Sequence, residues 1–119
     1  LDIRTDCVRV TENNLPELFA EDPIVCEAFD SPEAKAMLVN GILERFPRTF
    51  LVSASGMAGY GDSNRIQTRK ITDHFYLCGD GIAQTGPGYG LMAPRVALCA
   101  AHEANCIAQY ICTTKGEEP

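Results

Sequence analysis

Asp30 is the residue whose type and position point most directly to chemistry. It follows an apolar run at residues 24–28 and precedes Ser31, which can cap a helix that has Pro32 in its first turn. In open α/β sheets ligands bind at the carboxyl edge of the strands, and a helix N-terminus attracts phosphate. A carboxylate there would repel phosphate unless a divalent cation lay between them. We therefore predict a magnesium–nucleotide site at Asp30, although the position also suits an acid that only stabilises the helix start.

Lys35 and Cys78 are two further candidates. Lys35 lies one turn into the same predicted helix and could reach a phosphate, but on spacing alone a solvated lysine is the commoner outcome. Cys78 ends an apolar strand at the mouth of a glycine-rich stretch, where an exposed thiol could attack a carbonyl or an adenylate. A lone cysteine in a strand is more often structural.

The cysteines favour reduced, mostly buried thiols. The six contain no C-x-x-C pair and several lie in apolar runs, unlike the loop cysteines of a disulfide scaffold. Cys99, His102 and Cys106 fall on one side of the last predicted helix and could present three ligands to zinc. Because no fourth ligand is apparent nearby and cysteine packs well against sheets, we expect no structural metal.

Composition excludes several classes of protein. The chain has 119 residues, enough for one domain, and its 45% apolar and 22% charged residues are typical of a globular protein. With 10 basic and 16 acidic residues the net charge is -6, which argues against binding to nucleic acid or to anionic membranes. No apolar run approaches the ~18 residues of a membrane span, and the start lacks a secretory pattern, so we expect a cytoplasmic protein.

The order of elements predicts an α/β fold. Residues 1–54 read as strand, helix, strand, helix, strand, which indicates a parallel sheet with crossover helices. Asn14 and Glu17 form a capping-box pattern before the first helix. The predicted spans are a half-buried strand at 1–7, a helix at 15–20, a buried strand at 24–28, a helix from 31 to about 46 and a buried strand at 49–54.

The second half of the chain differs from the first in composition, because it is rich in glycine. Eight of the ten glycines lie between positions 56 and 90, and residues 79–90 read as a long loop. Residues 65–71 and 75–78 read as a strand pair, and residues 93–111 read as a long C-terminal helix. The helix stripe expected to face the sheet comprises Val96, Ala100, Ala104, Ile107 and Ile111.

Four segments resemble the E1-like adenylyltransferases, the ThiF, MoeB and HesA group. EAFDSPEAK, at residues 27–35, resembles the D-x-x-D-N-x-x-x-R segment of that group. FLVSASGMAGYGD, RKITDHFYLCGDG and GLMAPRVALCAAHEAN resemble consecutive segments of the shorter, zinc-free ThiF type of thiamine biosynthesis. The resemblance covers essentially the whole chain, in order.

This resemblance implies an E1-type fold, a parallel nucleotide-binding sheet extended by antiparallel strands, usually in a homodimer. It also implies adenylation: the C-terminal glycine carboxylate of the carrier ThiS attacks the α-phosphate of magnesium ATP and releases pyrophosphate. By motif, Asp30 matches the carboxylate that binds magnesium and ATP phosphates, and Glu27 matches the earlier acid. Ser31 stands where the motif has asparagine, and Lys35 where it has arginine. Cys78 lies near the segment where some relatives carry a cysteine that bonds the carrier's terminus.

One departure from the family concerns its N-terminal half. The glycine-rich phosphate loop, the ribose-binding acid and the ATP-contacting basic residues lie there, and residues 1–119 do not supply them. The chain therefore resembles the C-terminal half, which we expect to bind nucleotide poorly by itself and to associate into dimers or larger oligomers. The competing functions are a noncatalytic carrier-binding or dimerisation module and a flavodoxin-like small-molecule binder.

Overall fold

Four strands form one mixed sheet with helices on both of its faces, so the fold class is α/β, as predicted. The computed structural model of the chain describes residues 1–55, 60–80 and 93–114. Most of the predicted glycine-rich loop lies outside these residues. The elements, in chain order, are α1 (Leu15–Phe19), β1 (Ile24–Cys26), α2 (Pro32–Arg45), β2 (Phe50–Ala54), a 3-10 turn (Ser63–Arg65), β3 (Gln67–Thr72), β4 (Phe75–Gly79) and α3 (Ala93–Thr114).

The sheet has the order β1-β2-β4-β3. Strands β1, β2 and β4 are parallel, with Val25 beside Leu51 and Ser53 beside Leu77. Strand β3 is antiparallel to β4, which confirms the predicted strand pair. Because the three parallel strands run in one direction, their carboxyl ends meet at a single edge of the sheet, where ligand sites of open α/β folds lie.

The alternation of side chains along β2 creates two cores. All five residues of β2 are buried, as expected for a strand covered on both faces. Leu51 packs on the face covered by α1 and α2, which we call the α2 face. Phe50, Val52 and Ala54 pack on the face covered by α3, the α3 face.

The start of α2 agrees with the sequence. Ser31 is its N-cap, and its Oγ accepts a hydrogen bond from Ala34 N at 3.3 Å, with Pro32 in the first turn. A Cβ built on Gly41 in this helix would lie 2.3 Å from Leu15 Cδ1, so the absence of a side chain there lets α1 approach α2 closely.

Two predictions near the N-terminus are wrong. Residues 1–7 form no strand, and residues 1–9 are all exposed. Alternating side chains make a strand only where a neighbouring strand accepts its backbone hydrogen bonds, and this segment has none among the described residues. The capping box also fails, because Asn14 Oδ1 accepts from Thr11 N at 2.7 Å and makes no cap hydrogen bond to α1.

The predicted buried face of α3 is wrong for most of its residues, although Ile107 packs against the α3-face core. Val96, Ala100 and Ala104 are exposed, and Ile107 and Ile111 are only half-buried. Exposure of small alanine side chains costs little, so the helix is free to turn other residues toward the sheet. The α3 residues buried against the sheet are Arg95, Cys99, Glu103 and Cys106.

No helix within the described ranges is both long enough and apolar enough to span a membrane.

Candidate functional site

Polar side chains gather at the carboxyl edge of the sheet, where β1, β2 and β4 end. Gly79 closes the edge between β4 and β2: its φ is +129°, and a Cβ there would lie 1.5 Å from the carbonyl oxygen of Ser55. Ser55 N donates to the Cys78 carbonyl oxygen at 2.8 Å, which extends the parallel pairing to the end of both strands. Only glycine fits this position, so the edge depends on it.

Asp30 is an exposed acid at this edge. It lies between the end of β1 and the start of α2, is exposed, and has no hydrogen bond or ion pair with the rest of the described chain. A free carboxylate beside a helix N-terminus fits a magnesium ion, which takes one or two protein carboxylates and completes its shell with water and phosphate oxygens. Asp30 is therefore the residue at this edge that could hold the predicted metal.

Glu27 lies three residues before Asp30, and its side chain is buried in the protein interior. Its side chain is 0% exposed, and Oε2 accepts from Phe29 N at 2.6 Å and from Lys35 Nζ at 3.0 Å. Oε1 accepts from Ser53 Oγ and, at 3.3 Å, from Lys35 Nζ. Both carboxylate oxygens are therefore occupied by the protein itself.

Lys35 and Ser31 are likewise engaged within the fold. The Lys35 side chain is 20% exposed and its ammonium is held by Glu27. Ser31 Oγ caps α2 and also bonds to Glu33 Oε2 at 3.0 Å. Of the four residues predicted to contact nucleotide, Asp30 alone has no partner in the part of the chain that the structure describes.

Cys78 is buried rather than exposed at the strand end. It is 0% exposed, between the sheet and α3, and burial raises the pKa of its thiol. Thr68 Oγ1 lies 3.6 Å from its Sγ and 2.9 Å from His102 Nδ1. A buried thiol with a raised pKa is a poor nucleophile, so the predicted covalent role would require Cys78 to become accessible.

Glu103 and Cys26 form a contact that the sequence reasoning missed. Cys26 Sγ donates to Glu103 Oε2 at 3.0 Å, linking β1 to α3. Burial raises the pKa of Glu103, although the hydrogen bond from Cys26 opposes this. The Cys26 residue as a whole is exposed, yet desolvation of its thiol and the adjacent Glu103 carboxylate raise the pKa of that thiol to about 12. The sequence signal for this contact was a glutamate, Glu103, among the mostly apolar residues of α3.

Arg95 and Asp80 form a second missed contact, an ion pair between buried side chains. Arg95 Nη2 lies 2.8 Å from Asp80 Oδ2, and Arg69 Nη2 donates to the Asp80 carbonyl oxygen at 3.2 Å. The pair joins the end of β4 to the first turn of α3 and to β3. It therefore fixes the position of α3 at the carboxyl edge.

The possible zinc ligands on α3 do not converge. Cys99 and Cys106 are buried in the α3-face core, and His102 bonds to Thr68. Within residues 1–55, 60–80 and 93–114, no three His, Cys, Asp or Glu side chains are grouped as metal ligands.

Comparison of the chain with protein-family models, curated proteins and solved structures found no match. Support for a function therefore comes from the residues and geometry of the site.

Proposed function

We propose that the chain forms the magnesium-binding part of an ATP-dependent adenylyltransferase of the ThiF type. Its carrier substrate would be ThiS, a ubiquitin-like sulfur carrier whose C-terminal glycine is activated for thiazole biosynthesis. The observation that carries this proposal is Asp30, an exposed carboxylate that follows a parallel strand at its carboxyl end and has no partner among residues 1–55, 60–80 and 93–114. The sequence segments that resemble the ThiF group supply the choice of reaction.

The proposed reaction needs charge neutralisation and positioning more than covalent chemistry. An oxygen of the carrier's terminal carboxylate attacks the α-phosphorus of ATP, and the bond from that phosphorus to the pyrophosphate oxygen breaks. Magnesium would neutralise the phosphate charge during this displacement. Asp30 would hold the metal, and the positive end of the α2 dipole would favour the phosphates beside it.

The proposal is tested by carrier-dependent exchange between ATP and pyrophosphate. The assay uses a chimeric protein in which the N-terminal half of a ThiF-type enzyme precedes residues 1–119. We expect Asp30→Ala to lower exchange by about 100-fold or more, with stability nearly unchanged because the side chain is exposed. The matched control is Asp73→Ala, which removes an exposed acid that pairs with Lys70 in the β3–β4 turn.

Two outcomes would overturn parts of the proposal. Exchange by Asp30→Ala within a few-fold of the parent would remove Asp30 from the metal site. A chimera that folds but gives no exchange would argue against the adenylyltransferase. The homodimer is a separate prediction, and light scattering of the chain at micromolar concentration tests it, since a monodisperse mass near 12.9 kDa would contradict it.

A noncatalytic carrier-binding module is the second candidate. It is favoured by the internal pairing of Glu27, Lys35 and Ser31, which occupies three of the four residues predicted to contact nucleotide. Calorimetric titration of the 119-residue chain with ThiS distinguishes the two. Carrier binding by the chain, together with an inactive chimera, would support the module.

A further inference from the structure

We infer that Glu27 is a positioning residue that sets the backbone of the Asp30 turn, residues 27–31, and that Lys35 is its counter-charge and not a phosphate ligand. The catalytic consequence of this inference rests on the proposed function. The structural part of the inference, that these contacts order the turn, is independent of the proposed function because it concerns contacts within the chain.

The contacts of Glu27 fix the turn from both sides. Its backbone N donates to the Val52 carbonyl oxygen at 2.8 Å, which ties the end of β1 to β2. Its Oε2 accepts from Phe29 N at 2.6 Å, the amide directly before Asp30. The Ser53 hydroxyl bonds to the other carboxylate oxygen. One carboxylate thus links the Asp30 turn to the neighbouring strand.

The charge of Glu27 explains the position of Lys35. A fully buried carboxylate is costly unless a cation or several donors compensate it. Lys35 Nζ lies 3.0 and 3.3 Å from the two oxygens and belongs to the first turn of α2, so the ion pair also ties the helix start to the turn. If Lys35 moved out to a phosphate, it would leave this buried carboxylate without its cation. The geometry therefore favours a structural counter-charge over a ligand.

A double-mutant cycle separates these two roles of Lys35. Glu27→Gln keeps an acceptor oxygen but sets an amide against the ammonium, and Lys35→Met leaves the carboxylate without its cation. The double variant removes both charges together, so it should restore what each single change damages. A phosphate ligand lost in Lys35→Met would not be restored by a change at Glu27.

The first measurement is hydrogen exchange on the 119-residue chain without nucleotide. We expect each single variant to speed exchange of the Phe29 amide by about tenfold or more, and the double variant to come within about threefold of the parent. Lys70→Met is the matched control, because it removes an exposed lysine whose ion-pair partner is also exposed. If the single variants fail to fold, Ser53→Ala removes one bond to the carboxylate and should speed the same amide more modestly.

The second measurement is the KM for magnesium ATP in the chimeric enzyme. Each single variant should raise KM about tenfold with a smaller effect on kcat, and the double variant should recover most of the loss. A double variant as impaired as Lys35→Met would show that Lys35 binds phosphate and would overturn the inference. Unchanged exchange at Phe29 in Glu27→Gln would overturn it too, whatever the chimera's activity. An inactive parent chimera would count against the proposed function alone, since hydrogen exchange still decides the role of Glu27.

Discussion

The two faces of the sheet differ in how they accommodate charge. On the α2 face the apolar core is Leu15, Val25, Leu38, Ile42, Leu51 and Phe75, and the buried acid Glu27 pairs with Lys35. On the α3 face the core includes three thiols, and both charged residues of α3, Arg95 and Glu103, point toward the sheet. Arg95 pairs with Asp80, whereas Glu103 accepts from the thiol of Cys26.

This difference teaches that burial of charge has different consequences on the two faces. The carboxylate on the α2 face has a cation within hydrogen-bonding distance, so its charged form is compensated locally. The carboxylate on the α3 face faces a neutral thiol, and burial raises the pKa of Glu103. We therefore expect α2 to provide most of the apolar stability and α3 to provide a pH-dependent contribution.

The largest expected effect is at Gly79, on the edge that both faces share. Gly79→Ala places a Cβ 1.5 Å from a backbone oxygen at a positive φ, so β2 and β4 must separate. We expect a loss of about 3 kcal/mol or more in the free energy of unfolding, measured by urea denaturation. Gly61→Ala is the control for the close approach, since Gly61 also has a positive φ, 157°, but its Cβ would meet nothing within 4 Å. Equal losses at the two glycines would contradict the close approach.

A smaller loss of stability is expected from truncating one buried side chain in each of the two cores. Ile42 on the α2 face and Cys99 on the α3 face are both 0% exposed. We expect Ile42→Ala to cost about 2 to 4 kcal/mol and Cys99→Ala about 1 kcal/mol, because the thiol loses only one heavy atom. Urea denaturation measures the free energy of unfolding of both variants, and the comparison holds if their m-values are equal. Similar losses would mean that the thiol core contributes as much as the branched aliphatic one.

The smallest expected effect is the pH dependence on the α3 face. Because the pKa of Glu103 is raised in the fold, its contribution to stability is present below the ordinary glutamate pKa and is lost as pH rises through the raised value. Glu27 adds to the rise in the pKa, and Lys35 opposes it. Glu103→Gln, which keeps an acceptor for Cys26, should therefore gain stability relative to the parent as pH rises above the ordinary glutamate pKa, by a few degrees in Tm.

Thermal unfolding at several pH values measures this gain. Glu44→Gln, at an exposed position of α2, is the control and should leave the pH profile unchanged. A constant difference between Glu103→Gln and the parent across the pH range would show that Glu103 does not carry the pH dependence.

Local patterns predicted most of the elements. Ser31 and Pro32 marked the start of α2, and the unbroken apolar run marked β2 to within one residue. The failures have two physical causes. Residues 1–7 alternate like a strand but have no neighbouring strand among the described residues. The capping box failed locally, because Asn14 bonds back to Thr11 and Arg9.

The sequence by itself determined the strands and helices from residue 15 onward and the position of Asp30 between β1 and α2, because apolar runs, the Ser31 cap and prolines act within a few residues. Only the tertiary structure decided which face of α3 is buried and which acid at the edge stays free. Glu27 is enclosed by Ser53, 26 residues away, and Glu103 is held by Cys26, 77 residues away. Such contacts depend on the packing of whole elements, since the distance between two side chains in the fold is set by sheet order and helix rotation and not by their separation along the chain.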